Sequence, residues 1–138
     1  MANIFRKGRK KYDTDIRNDI TVIITWYGQP ECLLQQCMFY ADMAEKYDLI
    51  PTVIIINDAH DAERDYFKQC IKSFKSKFNL TGVDVKGDIG FNSHTCRNLG
   101  VKLAKTDWVW LLDVDCFESE EIYRFSRFEK VMNDKVFY

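Results

Sequence analysis

Asp113 and Asp115 close the run Trp108-Val-Trp-Leu-Leu-Asp-Val-Asp115, a bulky apolar stretch that stops abruptly at two carboxylates. Residues two apart on a β-strand point the same way. Both carboxylates can therefore reach one point at the strand's carboxyl end. Like charges that close repel each other unless a cation or protons lie between them. Hard carboxylate oxygens suit Mg2+ or Mn2+, which also accept phosphate oxygens. The expected chemistry is a divalent cation at Asp113 and Asp115 beside a phosphate-bearing ligand. The plainer alternative is a strand that ends in a polar turn.

Other polar residues fall at comparable places. Asn57 and Asp58 follow the apolar run Thr52-Val-Ile-Ile-Ile. Arg97 lies near the start of a helical pattern, where its own charge and the helix dipole would both attract an anion. No G-x-G-x-x-G follows the first apolar run, and there is no Walker A loop. Gly87-x-x-Gly90 is too short a glycine pattern to cradle a phosphate. A phosphate-bearing ligand would then depend on a metal and on basic side chains.

The elements that must position these residues alternate. Ile20–Thr25 reads as a strand, and Trp26-Tyr-Gly-Gln-Pro30 as a turn with Pro30 opening a helix. That helix runs to about Tyr47, with Leu34, Met38, Ala41 and Ala44 as its core face. Thr52–Asn57 is a second strand. A helix over about 62–78 follows, ended by Asn79 and Gly82. Val83–Val85 is a short strand. A helix capped by Asn92 or Ser93 then carries Cys96, Leu99, Gly100 and Leu103 inward. After Asp115, Ser119 caps a last helix, with Glu120 and Glu121 in its first turn. Its expected buried stripe is Ile122, Phe125, Phe128 and Met132, and Val136–Tyr138 begins another strand. Such alternation means right-handed βαβ units and an α/β fold with a parallel sheet. Ile20–Thr25 should lie centrally, with Thr52–Asn57 on one side and the Trp108 strand on the other. Three strand ends then meet at one crevice: Thr25–Tyr27, Asn57–Asp58 and Asp113–Asp115.

Composition narrows the partners. The 138 residues carry a formal charge of −1, which argues against a general nucleic-acid partner. Residues 1–19 are rich in Lys and Arg and read as a flexible basic lead-in. Residues 20–138 read as one domain. Five cysteines, an odd number without C-x-x-C spacing, fit a reducing cytoplasm and small core fillers better than disulfides or zinc. No apolar run is long enough for an integral membrane segment.

Four motifs, in order, carry a family resemblance. They are Thr21-Val-Ile-Ile-Thr-Trp-Tyr27, Ile54-Ile-Ile-Asn-Asp58, Gly90-Phe-Asn-Ser-His-Thr-Cys-Arg-Asn-Leu-Gly100 and Leu111-Leu-Asp-Val-Asp115. Together they resemble the nucleotide-binding half of the family-2 glycosyltransferases, whose fold is GT-A, over about Ile20 to Tyr138. The resemblance implies a Rossmann-like GT-A half-fold, with a mostly parallel sheet and helices on both faces. It also implies a nucleoside-diphosphate-sugar ligand. Thr25 and Tyr27 would line the nucleotide pocket, and Asp58 with Asn57 would hydrogen-bond the base. Arg97 would lie near the diphosphate. Asp113 would sit at the ribose and metal edge, and Asp115 would ligate Mn2+ or Mg2+.

The sequence departs from that family in stopping soon after the D-x-D motif, before an acceptor-binding half and its catalytic base. No catalytic residue is assigned, and Glu118, Glu120 and Glu121 follow the motif too closely to fill that role. Three readings stay open: a protein partner or second copy supplies the base, the domain binds sugar nucleotide without transfer, or a shortened form serves as an interaction module. A haloacid-dehalogenase-like phosphatase also uses D-x-D, but on its first strand and with Thr or Val at the position that Phe117 occupies.

Overall fold

The computed structural model describes residues 3–6, 20–47, 49–87 and 92–128. Five strands form one sheet: β1 (Asn3–Arg6), β2 (Ile20–Trp26), β3 (Thr52–Asn57), β4 (Asn79–Asp84) and β5 (Trp108–Asp113). Their order across the sheet is β1-β5-β2-β3-β4. The four strands from β2 to β5 are parallel, and β1 runs antiparallel along β5. The helices are α1 (Pro30–Lys46), α2 (Arg64–Phe74), α3 (Ser93–Leu103) and α4 (Glu120–Phe128). This is the α/β, mostly parallel arrangement expected, with β2 central.

The alternating faces of β2 divide the core. Val22, Ile24 and Trp26 pack with Leu33, Cys37 and Tyr40 of α1, Phe67 and Cys70 of α2, and Tyr123 of α4. On the other face, Ile23 packs with Ile54, Ile56 and Cys96 of α3. Helices thus cover both faces, which is why the central strands read as unbroken apolar runs. Gly100 lets α3 come close: a Cβ there would collide with the Ile23 side chain.

Several sequence expectations need correction. The basic lead-in was read without a strand, yet Asn3–Arg6 pairs with Trp108–Leu111. Pairing satisfies the exposed N–H and C=O groups that an edge strand otherwise presents. The buried face of α1 is Leu33, Gln36, Cys37, Tyr40 and Met43, not Leu34 and Met38, which are 38% and 50% exposed. Counting apolar residues shifted the stripe, because a glutamine belongs to it. Helix α2 ends at Phe74, and β4 begins at Asn79 and contains Gly82. Tertiary pairing with β3 overrides the turn preference of Asn and Gly. The missing side chain at Gly82 makes room for Ile71, whose Cγ1 would lie 2.7 Å from a Cβ.

Leu103 is exposed, not inward. In α4, Ile122 and Phe125 are exposed, while Tyr123, Ser126 and Arg127 are buried. The buried ion pair of Arg127 with Glu118 lies on that inward face. The Phe128 side chain, Met132 and the strand expected at Val136–Tyr138 lie outside the described residues.

Candidate functional site

Strand register brings the polar residues to one sheet edge. Thr25 on β2 lies level with Asp113 on β5, and Trp26 lies level with Asn57 on β3. Beyond β2 the chain turns at Gly28, whose φ is +69°. A side chain there would be strained, and its Cβ would stand 2.8 Å from the His60 ring. The turn leaves Tyr27 against His60, with ring centroids 4.6 Å apart.

A cavity of about 400 Å³ opens at this edge. Thr25, Tyr27, Arg97, Asp113 and Asp115 line it, together with Gln29 and Ser93. Gln29 is the N-cap of α1, and Ser93 is the first residue of α3. Two helix N-termini therefore border the cavity, and their unpaired N–H groups and dipoles favour an anion.

Arg97 donates its Nη2–H to the Asp113 carboxylate. The guanidinium lies where a cation would neutralise Asp113. Its Nε is buried and has no acceptor among the described residues. Asp115 is exposed, on a turn closed by the Cys116 N–H donating to the Asp113 carbonyl at 2.9 Å. No cluster of three or more His, Cys, Asp or Glu forms a metal cage among the described residues. Asp113 and Asp115 thus offer a partial set of hard oxygen donors. Mg2+ fits such a set, because it usually keeps several waters and binds through one or two carboxylates plus substrate phosphates.

Asn57 and Asp58 are buried and are not among the residues that line this cavity. Asn57 is fully buried; its Nδ2 donates to Asp84 Oδ1 at 3.0 Å, and its Oδ1 accepts from the His60 N–H at 3.0 Å. Asp58 is 2% exposed. Its Oδ2 accepts from the Asn92 N–H at 2.5 Å, and its Oδ1 from the Cys96 thiol at 3.3 Å. Asp58 thereby ties the end of β3 to the start of α3, which sets Ser93 and Arg97. Burial, and then the hydrogen bond to Asp58, push the Cys96 thiol up to about 12.

Glu118 is buried and fully engaged. Arg127 Nη1 donates to its Oε1 at 2.5 Å, and Tyr40 Oη donates to its Oε2 at 2.9 Å. The Arg127 guanidinium also lies over the Tyr123 ring, 3.9 Å from its centroid. This pair fixes the rotation of α4. Glu120 pairs with Lys46 at 2.6 Å and accepts from Tyr47 Oη at 2.5 Å.

Sequence reasoning did not put Gln29 and Ser93 at the cavity, nor join Gln36, Tyr40, Glu118 and Arg127 into one buried polar group. The i, i+4 spacing of Gln36 and Tyr40 on one helix was the available signal.

The parallel strands with helices on both faces form an α/β fold of the GT-A-like kind. Residues 21–135 match the family described as glycosyltransferase like family 2, and the chain belongs to that family. Hyaluronan synthase of Pasteurella multocida is 28% identical over 96 residues, which cover 70% of this chain and 9% of that protein. The crystal structure of S. aureus TarS 1-349 is similar with a TM-score of 0.61 and 21% identity, covering 77% of this chain and 30% of that one. The same TarS fragment in complex with UDP is similar with a TM-score of 0.55 and 21% identity, covering 70% and 27%. Its complex with UDP-GlcNAc gives a TM-score of 0.52 and 19% identity, covering 70% and 26%. The chain spans under a third of each of these relatives. Among the described residues, no helix is long and apolar enough to cross a membrane.

Proposed function

We propose that this domain binds a nucleoside-diphosphate sugar in the cavity at the carboxyl ends of β2 and β5, for glycosyl transfer to an acceptor. The observation that carries the reading is the meeting of Thr25, Tyr27, Arg97, Asp113 and Asp115 around one cavity bordered by two helix N-termini. Family membership supports it, as do the UDP and UDP-GlcNAc complexes of TarS.

In this reading the diphosphate lies between Arg97 and the start of α3. Thr25 and Tyr27 flank the nucleoside. Asn57 and Asp58 serve the base end by fixing the segments at His60 and Asn92. Asp113 and Asp115 would hold Mn2+ or Mg2+, which when bound supplies Lewis-acid stabilisation of the departing diphosphate. Arg97 adds a second positive charge to the same oxygens. A cytoplasmic setting belongs to the same reading, from five cysteines in odd number without C-x-x-C spacing.

A second reading is sugar-nucleotide binding without transfer, with the fold serving as an interaction module. One observation favours it. Glu118 and Glu120, the nearest acidic residues after the motif with mapped partners, are committed to Arg127 and Lys46 and cannot serve as free general bases.

A thermal-shift panel of UDP, GDP, CDP and ADP, with and without Mn2+, tests the proposal, because a ligand that binds the folded chain alone raises its melting temperature. One diphosphate should raise it selectively, and more so with Mn2+. No shift with any of them would overturn the reading.

A further inference from the structure

Gln36 is fully buried in the middle of α1, among Leu33, Cys37, Tyr40 and Met43. Its Nε2 donates two hydrogen bonds, to the Val114 carbonyl at 3.0 Å and the Cys116 carbonyl at 2.8 Å. Those carbonyls flank Asp115. Its Oε1 is buried and has no donor among the described residues. An unsatisfied buried acceptor costs about 1–3 kcal/mol. Packing alone would favour an apolar side chain of the same length. The amide is kept at a cost, and what it holds is the turn behind Asp115.

The Asp115 carboxylate itself is exposed and has no hydrogen-bond partner among the described residues. The backbone therefore sets where its Cβ stands, with no side-chain bond to hold it elsewhere. One turn along α1, Tyr40 holds Glu118. Gln36 and Tyr40 thus clamp the segment from 114 to 118 along one helix face. Among the described residues, Gln36 is the side chain that hydrogen-bonds the carbonyls next to Asp115.

We infer that Gln36 is a positioning residue for the D-x-D turn: by holding the carbonyls on both sides of Asp115, it sets where that carboxylate stands relative to Asp113. The inference rests on the proposed nucleotide and cation site. A glutamine that merely satisfied two buried carbonyls would affect stability but not the linkage between cation and nucleotide.

The test compares Gln36→Met, which keeps length and removes both donors, with Phe78→Leu, a core change outside the residues that line the cavity. UDP affinity is measured by calorimetry with and without Mn2+, and amide exchange is followed over residues 114–116. Gln36→Met should bind UDP without metal within about twofold of the unmutated chain, lose at least about fivefold of the Mn2+ enhancement, and exchange faster at Asp115 and Cys116. Phe78→Leu should lower stability and leave the enhancement unchanged. If Gln36→Met does not fold, Gln36→Glu, which keeps shape and replaces the donors by a carboxylate, is read the same way. A folded Gln36 variant with full Mn2+ enhancement overturns the role of Gln36, as does an equal loss in Phe78→Leu. Absence of any Mn2+ enhancement in the unmutated chain overturns the cation site itself, and this role with it.

Discussion

Arg97, in the second turn of α3, donates to the carboxylate of Asp113 at the end of β5. The first D-x-D carboxylate therefore already has a positive partner on the opposite wall of the cavity. In the proposed reading, a cation arriving at Asp113 would compete with that guanidinium, and a diphosphate would offer Arg97 a better acceptor, so that each ligand would favour the other by this exchange.

Replacing Arg97 by Gln should pull the two effects apart. UDP should bind about 10–100-fold more weakly, given that hydrogen bonds to charged groups contribute about 1.5–3 kcal/mol. Mn2+ alone should bind more tightly, because Asp113 loses its internal counter-ion. Calorimetric titration of each ligand alone checks both signs. A fall in both affinities would contradict the exchange.

Arg127 and Glu118 form a buried pair whose side chains are 2% and 0% exposed. Arg127→Met should destabilise by about 3–5 kcal/mol, because it leaves a lone buried carboxylate. Adding Glu118→Gln should recover much of that loss, since the stranded charge is gone. Urea unfolding of the two single variants and the double variant measures the coupling.

Gly100 packs against Ile23, with no space for a Cβ. Gly100→Ala should cost about 1–3 kcal/mol by overpacking, even though alanine is the better helix former. Ile23→Ala should relieve the clash in combination. Thermal melts of the three variants decide it, and a stabilised Gly100→Ala would contradict the packing.

Stability should fall on the alkaline side. Burial, and then its bond to Asp58, raise the Cys96 thiol from 9.0 to about 12. Burial likewise raises the Tyr123 hydroxyl to about 12. The hydrogen bond with Cys70, together with burial, holds Cys37 well above its ordinary value. The folded chain keeps these protons more tightly than the unfolded one. Their contribution is full below about pH 9 and is lost as pH rises toward 12. Melting temperatures across that range should fall steadily, and a flat profile would contradict the burial of these groups.

Sheet order was legible in the sequence because three apolar runs end in polar residues at matched lengths, which a parallel α/β sheet requires. Strand β1 was not, because its partner is the edge of β5, more than a hundred residues away. Asn79 and Gly82 read as a helix stop, and the pairing of β4 with β3 was invisible locally. Thr25, Tyr27, Arg97, Asp113 and Asp115 were legible as strand-end and helix-start residues, and they line one cavity. Asp58 was legible as a residue at this edge, but not as one facing Asn92 and Cys96. Gln36 was lost because hydrophobic counting skips a buried polar side chain whose partners are backbone carbonyls on a distant turn.

The most direct measurement is UDP affinity with and without Mn2+, by calorimetry, in the unmutated chain and in Asp115→Asn. Two carboxylates leave most of a cation's shell to water until phosphate oxygens join it. Mn2+ should strengthen UDP binding by about 5–150-fold, the usual span of a coupling between two ligands, and UDP should strengthen Mn2+ binding by the same factor. Asp115→Asn should remove most of that coupling and remain folded, since it relieves repulsion between two like charges. Equal UDP affinity with and without Mn2+ in the unmutated chain would mean that Asp113 and Asp115 are only a polar turn.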